Sequence, residues 1–492
     1  MQKSLVLFLT LTSLILTSRA NQNFTFNERC LSAYSEIFKL KFDKGKTLIE
    51  LEKKENPKNL IPYFLENYID FLSIYISEDP TLFEQAEVRK KDRLAKIKAG
   101  DKNSPYYLFI QADMHLQWAS SRLKFEQYIP ALFEVRKAHK LLLENMEKYP
   151  NFKPNKKSLG LLTALFGAIP SKYKFGAKLF GLKGDINEGL KMMEETVNDP
   201  TFPFKEESAI MYTMLMLHLQ KNHDKAWSMI NTGKLSLKDN LLNHFVVASV
   251  AYYSGKNENL IETLKNKPKG NEYYPFPFLD YLLGVAKLNR LDEDADKPLI
   301  LFLRTQTGKT YIKDAHRKLA WFYLLQNKPE LYQKHMQLCI KEGSSLIDED
   351  KSALKDATRN LAPHKELLKS RLLFDGAYYK KALEILDNIN IKEIENSNYY
   401  ELEYYYRKAR VYDKLNEFEK AESMYLKSID LGKDIPMYYA ANSCIKLANI
   451  FEKQKKINLA EEYYRKSITF GSHEYENSIL AESKAGLNRI GR

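Results

Sequence analysis

The chain has 492 residues, with 76 lysines and arginines against 63 aspartates and glutamates, a formal net charge of +13, and only 19 glycines, 17 prolines and 3 cysteines. That length exceeds what one compact core organises and calls for several domains or an extended array; sparse glycine and proline favour helix, and three cysteines do not make a disulfide framework. The basic residues are interspersed with acidic ones along the whole chain, so the surplus reads as solvated helix faces, and no nucleic-acid partner is expected.

In chain order, the first element is an address. MQKS carries one lysine, residues 5–17 are mostly apolar, and Ser18-Arg19-Ala20 puts small residues where a signal peptidase cuts. The expectation is a cleaved signal peptide over residues 1–20 and a mature chain starting at Asn21, two positive charges lighter. The apolar run is shorter than the roughly 20 residues of a transmembrane helix, so none is expected after cleavage. Cys30 lies ten residues past that point, too far for lipid attachment there. Asn23-Phe24-Thr25 is a glycosylation sequon that matters only in a eukaryotic secretory pathway.

The densest basic stretch runs through Lys153, Lys156, Lys157, Lys172, Lys174, Lys178 and Lys183, a candidate face for anionic lipid, glycan or an acidic protein. It overlaps the block SLGLLTALFGAIPSKYKFGAKLFGLKGDINEGLKMMEE, residues 158–195. Lysines at 172, 174 and 178 would be costly in lipid, so core-packed helices with close backbone contacts are expected. Further on, LILFLRTQTGKTYIKD resembles a strand entering a phosphate loop, but Leu303 stands where the first glycine is needed. Helical reading suits it better. Residues 299–303 then form one buried turn of a second helix, Gly308 ends it in the left-handed conformation, and 311–326 starts the next unit.

No close cysteine pair suggests a metal knuckle, and His218 and His223 have the wrong spacing to share a helix face. Cys339 and Cys444 occupy apolar-periodic positions as small buried hydrophobes. HExxH, GxSxG and GxGxxG are missing. The reading is non-catalytic, with no cofactor and no metal.

Repetition dominates the C-terminal third. Ser370, Leu373, Ala382 and Leu386 recur 39 residues on as Ala409, Tyr412, Ala421 and Tyr425, and 39 further as Ala448, Phe451, Ala460 and Tyr464. A small residue on each of two helices allows close antiparallel approach, and the bulky residue one turn later fills the groove beside it. The template fits more loosely at Ala119, Arg122, Ala131, Val135; Met214, Leu217, Ala226, Ile230; Ala248, Ala251, Leu260, Leu264; Gly284, Lys287, Asp296, Ile300; Ala320, Tyr323, Tyr332, Met336; and Ala177, Phe180, Gly189, Met193.

The segments YRKARVYDKLNEFEKAESMYLKSIDLG and CIKLANIFEKQKKINLAEEYYRKSITFG resemble the tetratricopeptide repeat, without its usual tryptophan. The 158–195 block is similar to one in the inclusion-body-clearance family of such proteins, and the whole chain looks like secreted tetratricopeptide proteins of Gram-negative bacterial envelopes. This resemblance implies an all-α, TPR-like α-solenoid, a right-handed superhelix of antiparallel helix pairs. It divides as signal peptide 1–20, N-terminal helical region 21–155, central repeats 156–365 and C-terminal repeats 366–492. It also implies a protein or peptide ligand in a concave groove lined by residues beside the small packing position: Arg371, Arg410 and Asn449, with Asp413, Glu452 and Lys453 one turn on. Arginine's planar fork suits carboxylates and backbone carbonyls. Tyr399, Tyr400, Tyr404, Tyr405 and Tyr406 form a second candidate surface, about half of it core by helical spacing. The function so implied is a non-catalytic protein-interaction scaffold, exported across the inner membrane and periplasmic or envelope-associated. The alternative is an envelope protein that binds a glycan or small ligand.

Overall fold

A computed structural model describes residues 23–170, 181–359, 361–394, 397–471, 473 and 475–491. Among them the chain is all-α, with 25 helices and no strand, an α-solenoid of helix pairs as the repeat implies. The expected signal peptide, and Lys172, Lys174, Ala177, Lys178 and Phe180, lie outside the described residues. No helix among the described residues is long and apolar enough to cross a membrane. Two compact units form. Unit 1 runs to residue 254 and adds 258–282 and 301–309; unit 2 takes 255–257, 283–300 and 310 onward.

In unit 1, helix Pro154–Gly167 packs against helix Ile186–Val197. The contact is backbone to backbone: a Cβ on Gly189 would fall 2.4 Å from both the Gly160 carbonyl oxygen and the Ala164 nitrogen. The described ends of the glycine-rich block, residues 158–167 and 186–195, therefore form a close helix crossing.

Beside it lies a buried polar cluster that the sequence does not announce. Lys157, fully buried, donates to Glu207 Oε2 at 2.8 Å and to Asp113 Oδ1 at 3.1 Å. Tyr34 donates to Glu207 at 2.8 Å, Tyr68 to Asp113 at 2.7 Å and Ser158 to Asp113 at 2.6 Å. The side chains come from helices Glu28–Phe38, Ile61–Ser77, Pro105–Lys124, Pro154–Gly167 and Lys205–His218, so one cluster ties five helices. Burial works against the Lys157 ammonium, but Asp113 and Glu207 outweigh it and raise its pKa. Of the other described lysines of the basic stretch, Lys153 pairs with Asp199 and Lys156 with Glu195, and Lys183 is exposed.

In unit 2 the 39-residue template is the packing rule. Ser370, Ala382, Ala409, Ala421, Ala448 and Ala460 are fully buried, as are Leu386, Tyr425 and Tyr464. Ser370 Oγ donates to the Ala382 carbonyl at 3.2 Å, a direct contact of the two small positions of a pair. Each burial of a large side chain stabilises by about 1.5–3 kcal/mol. Within pairs the turns repeat too. Ala377, Asn416 and Lys455, at the same step, sit at φ 62, 61 and 60°, and Tyr378, Glu417 and Lys456 donate back to Leu373, Tyr412 and Phe451 at 2.8–2.9 Å. That is a Schellman C-cap built without glycine. Between pairs, buried serines touch: Ser443 with Ser428 at 3.0 Å and Ser467 with Ser483 at 2.5 Å.

Two expectations shift. Gly284 packs on Leu299, so the second helix of that repeat, Asp296–Thr305, meets it through Leu299, while Asp296 and Ile300 are only half-buried. A charged residue at the crossing would lose its solvation, and the apolar Leu299 takes the place. GKT does lie between Asp296–Thr305 and Ile312–Leu325. Gly308, however, is not among the residues of positive φ; Tyr311 is, at 63°, its N–H held by Asp350 at 2.7 Å.

Gly189→Ala is expected to lower the urea unfolding midpoint, because an overpacking cost of about 1–3 kcal/mol exceeds alanine's helix gain of about 1 kcal/mol. Gly471→Ala, with open space around the added methyl, should stay within about 0.5 kcal/mol of the parent. Lys157→Met should cost about 3–5 kcal/mol by leaving two buried carboxyls without their cation. Glu207 is already held above the usual carboxylate range, by burial first and against the pull of Lys157. A folded acid with a raised pKa destabilises more as pH rises. The deficit of Lys157→Met should therefore be larger at about pH 8 than at about pH 5, measured by urea unfolding at both.

Candidate functional site

Five helices of unit 2, Lys365–Asp375, Asn398–Lys414, Phe418–Leu431, Tyr439–Lys453 and Glu476–Arg489, line a cavity of about 590 Å³. Arg410 and Asn449 each follow a buried alanine, Ala409 and Ala448, so the packing that seats the alanine turns the next side chain off the helix contact. Asp413, Glu452 and Lys453 lie one turn on and line the same cavity, with Phe374, Lys414, Tyr425, Lys446 and Arg489. Of the six residues singled out from sequence, the structure gathers five. Arg371 is elsewhere, its guanidinium 4.6 Å from the Trp321 ring.

The cavity carries five cations and two carboxylates. Glu452 and Asn449 are occupied from within: Tyr464 donates to Asn449 Oδ1 at 2.5 Å and to Glu452 Oε2 at 2.6 Å, and Arg489 donates to Glu452 at 3.0 Å. Arg489 holds the Glu452 carboxyl below its usual range, with burial opposing and the Tyr464 hydroxyl adding to the effect. Lys446 pairs loosely with Glu482 at 3.6 Å. Arg410 is stacked on Phe374, 4.0 Å from the ring centre, and lies 5.6 Å from Tyr406. Stacking fixes the guanidinium plane without using its N–H donors. Arg410, Lys414 and Lys453 have no hydrogen-bond or ion-pair partner among the described residues. The arrangement therefore presents fixed donors beside aromatic faces and can hold a carboxylate or a backbone carbonyl.

Sequence reasoning missed Arg489, which lies on the final helix outside the repeat template, and Lys446, one turn before Asn449. The latter was readable from helical spacing; the former was not. In the tyrosine cluster Tyr404 and Tyr406 are buried and the other three are half-buried. Tyr400 donates to the Ala362 carbonyl at 2.8 Å, and Tyr399 packs on Tyr439 with ring centres 6.3 Å apart. These rings serve inter-helix packing.

A family model of the tetratricopeptide repeat matches residues 402–433 and 441–470. These segments are tetratricopeptide repeats. They hold the helices that carry Arg410, Asp413, Asn449, Glu452 and Lys453, so the cavity is built on the tetratricopeptide part of the chain. Among solved structures, the chain is similar to the crystal structure of the P58(IPK) TPR domain, at 13% identity and a TM-score of 0.21, covering 83% of this chain and 96% of that one. The comparison with curated proteins gave no match.

Tyr464→Phe removes a donor from Glu452 and Asn449 while keeping the ring. Folding stability should fall by about 1 kcal/mol in urea unfolding. Loss of a donor to the charged form should also raise the Glu452 pKa, read by carbon NMR of its carboxyl across a pH titration.

Proposed function

We propose that this protein is a non-catalytic scaffold whose tetratricopeptide cavity grips a polypeptide partner. The observation that carries the reading is Arg410: a guanidinium fixed on Phe374, with every N–H donor unused within the described residues, at the wall of a cavity rich in cations. A partner segment offering a carboxylate or successive backbone carbonyls satisfies those donors, and Lys414 and Lys453 add charge at the same wall. The repeats act here as a frame that sets the spacing of these side chains. The envelope setting is part of the proposal and rests on the N-terminal sequence alone, Met1 to Ala20.

The test is site-directed photocrosslinking from envelope extract, with the reactive group at position 453 and, as a control, at 420. A protein joined at 453, not at 420, and lost from an Arg410→Ala, Lys414→Ala background supports the scaffold. An unchanged catch in that background overturns the cavity as the gripping surface. Silence at both positions, followed by a hit on a glycan array that Arg410→Ala removes, would move the function to glycan binding.

A further inference from the structure

A hydroxyl has one proton to give, and the polar cluster of unit 1 asks one hydroxyl for two. The Tyr68 oxygen lies 2.7 Å from Asp113 Oδ2, and also 3.1 Å from Glu207 Oε1 and 3.0 Å from Glu207 Oε2. With both carboxyls ionised, Tyr68 donates to one of them only, and its lone pairs confront the other at hydrogen-bond distance with no proton between. The charges disagree in the same sense. Lys157, Asp113 and Glu207 are 0, 2 and 5% exposed, one cation against two carboxyls. An uncompensated buried charge is costly, so the cluster is one proton short.

The donors around the two carboxyls show where that proton belongs. Both Asp113 oxygens already receive groups that can only donate: Lys157 at 3.1 Å from Oδ1 and 3.3 Å from Oδ2, and the Gln117 amide at 3.4 Å from Oδ2. On Glu207, Oε2 takes Lys157 and Tyr34, both at 2.8 Å, whereas Oε1 meets only the Tyr68 oxygen among the described residues. A proton on Oε1 donates to Tyr68, Tyr68 donates to Asp113 Oδ2, and Lys157 is left to balance Asp113 alone. Burial pushes Glu207 the same way, raising its pKa against the pull of Lys157. The other charged groups on helix Lys205–His218 and its neighbours are engaged elsewhere: Glu206 accepts from Asn240 at 2.9 Å and Asn243 at 2.6 Å, His244 bonds the Asn240 carbonyl at 2.8 Å, Glu194 accepts from Tyr212 at 3.3 Å, and Lys225 lies 5.5 Å from the Tyr212 ring centre.

We propose that Glu207 is a buried proton-binding site: it holds a proton on Oε1 at neutral pH, and removal of that proton loosens the five-helix junction of unit 1. A solvated glutamate gives up its proton above about pH 4.3. Past that point the folded chain binds one proton more than the unfolded chain, so the stability contributed by this group falls as pH rises, until Glu207 ionises in the fold as well. The proton acts as a ligand of the junction and holds it most tightly in acid. The site belongs to unit 1 and not to the tetratricopeptide cavity, so its failure would leave the scaffold reading standing, and the reverse holds as well.

The test reads the proton directly. The full chain, grown with isotope-labelled glutamate, carries Glu206→Gln to remove the neighbouring glutamate whose pKa burial also raises, and is followed by infrared spectroscopy across a pH titration. A carbonyl band of protonated glutamate should persist at about pH 7, where solvated glutamates are ionised by more than about a hundredfold, and Glu207→Gln should remove it. Glu207→Gln keeps an acceptor for Lys157 and gives Tyr68 an N–H. It should therefore fold, and in urea unfolding it should reduce the decline of stability between about pH 5 and about pH 8. Asp113→Asn, the same change at the other carboxyl, should raise the unfolding constant about tenfold or more at both pH values, because Lys157 then has no anion. No protonated-glutamate band near neutrality, a band that survives Glu207→Gln, or equal losses from the two amide variants would overturn the site. Since the band is read with Glu207 in place, it decides the matter even if Glu207→Gln does not fold.

Discussion

How closely two paired helices approach is the constraint on which the rest of this molecule depends. Where the contact carries alanine, serine or glycine, backbones come near enough for Ser370 to reach the Ala382 carbonyl and for Gly189 to leave no room for a methyl. The distance then determines the turn, which closes through a left-handed residue seven positions past the small one, at Ala377, Asn416 and Lys455. It also determines function-bearing geometry. The side chain after the small residue has nowhere to go except off the contact, which is how Arg410 and Asn449 come to line one cavity.

Unit 1 solves a different problem. Its five-helix junction is polar, with Lys157, Asp113 and Glu207 buried together and answered by tyrosine and serine hydroxyls. Desolvating those charges contributes little net stability over an apolar core, but it penalises every arrangement that leaves one of them unpaired. In a chain assembled from similar helices, many wrong pairings bury comparable apolar area. A cluster that five specific helices must complete discriminates among them in a way leucine cannot.

Much of this architecture was legible beforehand, for a physical reason. Small and bulky residues at a fixed step are the direct imprint of helix crossing, and Ala409, Ala421, Ala448 and Ala460 are buried where that imprint places them. What stayed hidden depends on contacts distant in sequence. Lys157 reads as one more surface lysine until helices 44 and 50 residues away bring Asp113 and Glu207 to it. Ser428 and Ser467 stand one repeat apart yet look like solvent-facing residues, because their partners belong to the following helix. Among the site residues, those carried by the repeat were readable. Arg489 was not, since it arrives from a helix that the template does not reach, and Arg371 obeys the template but is taken by Trp321.

The three cysteines are all free and buried, Cys30 in unit 1 and Cys339 and Cys444 in unit 2. Burial pushes each thiol up to about 12, so thiolate is scarce while the fold is intact. In an oxidising compartment such thiols escape oxidation for as long as their helices stay closed. Their rate of modification by an added thiol reagent therefore becomes a clock for opening, and the two units, each holding its own cysteines, can be timed separately in one unmodified chain.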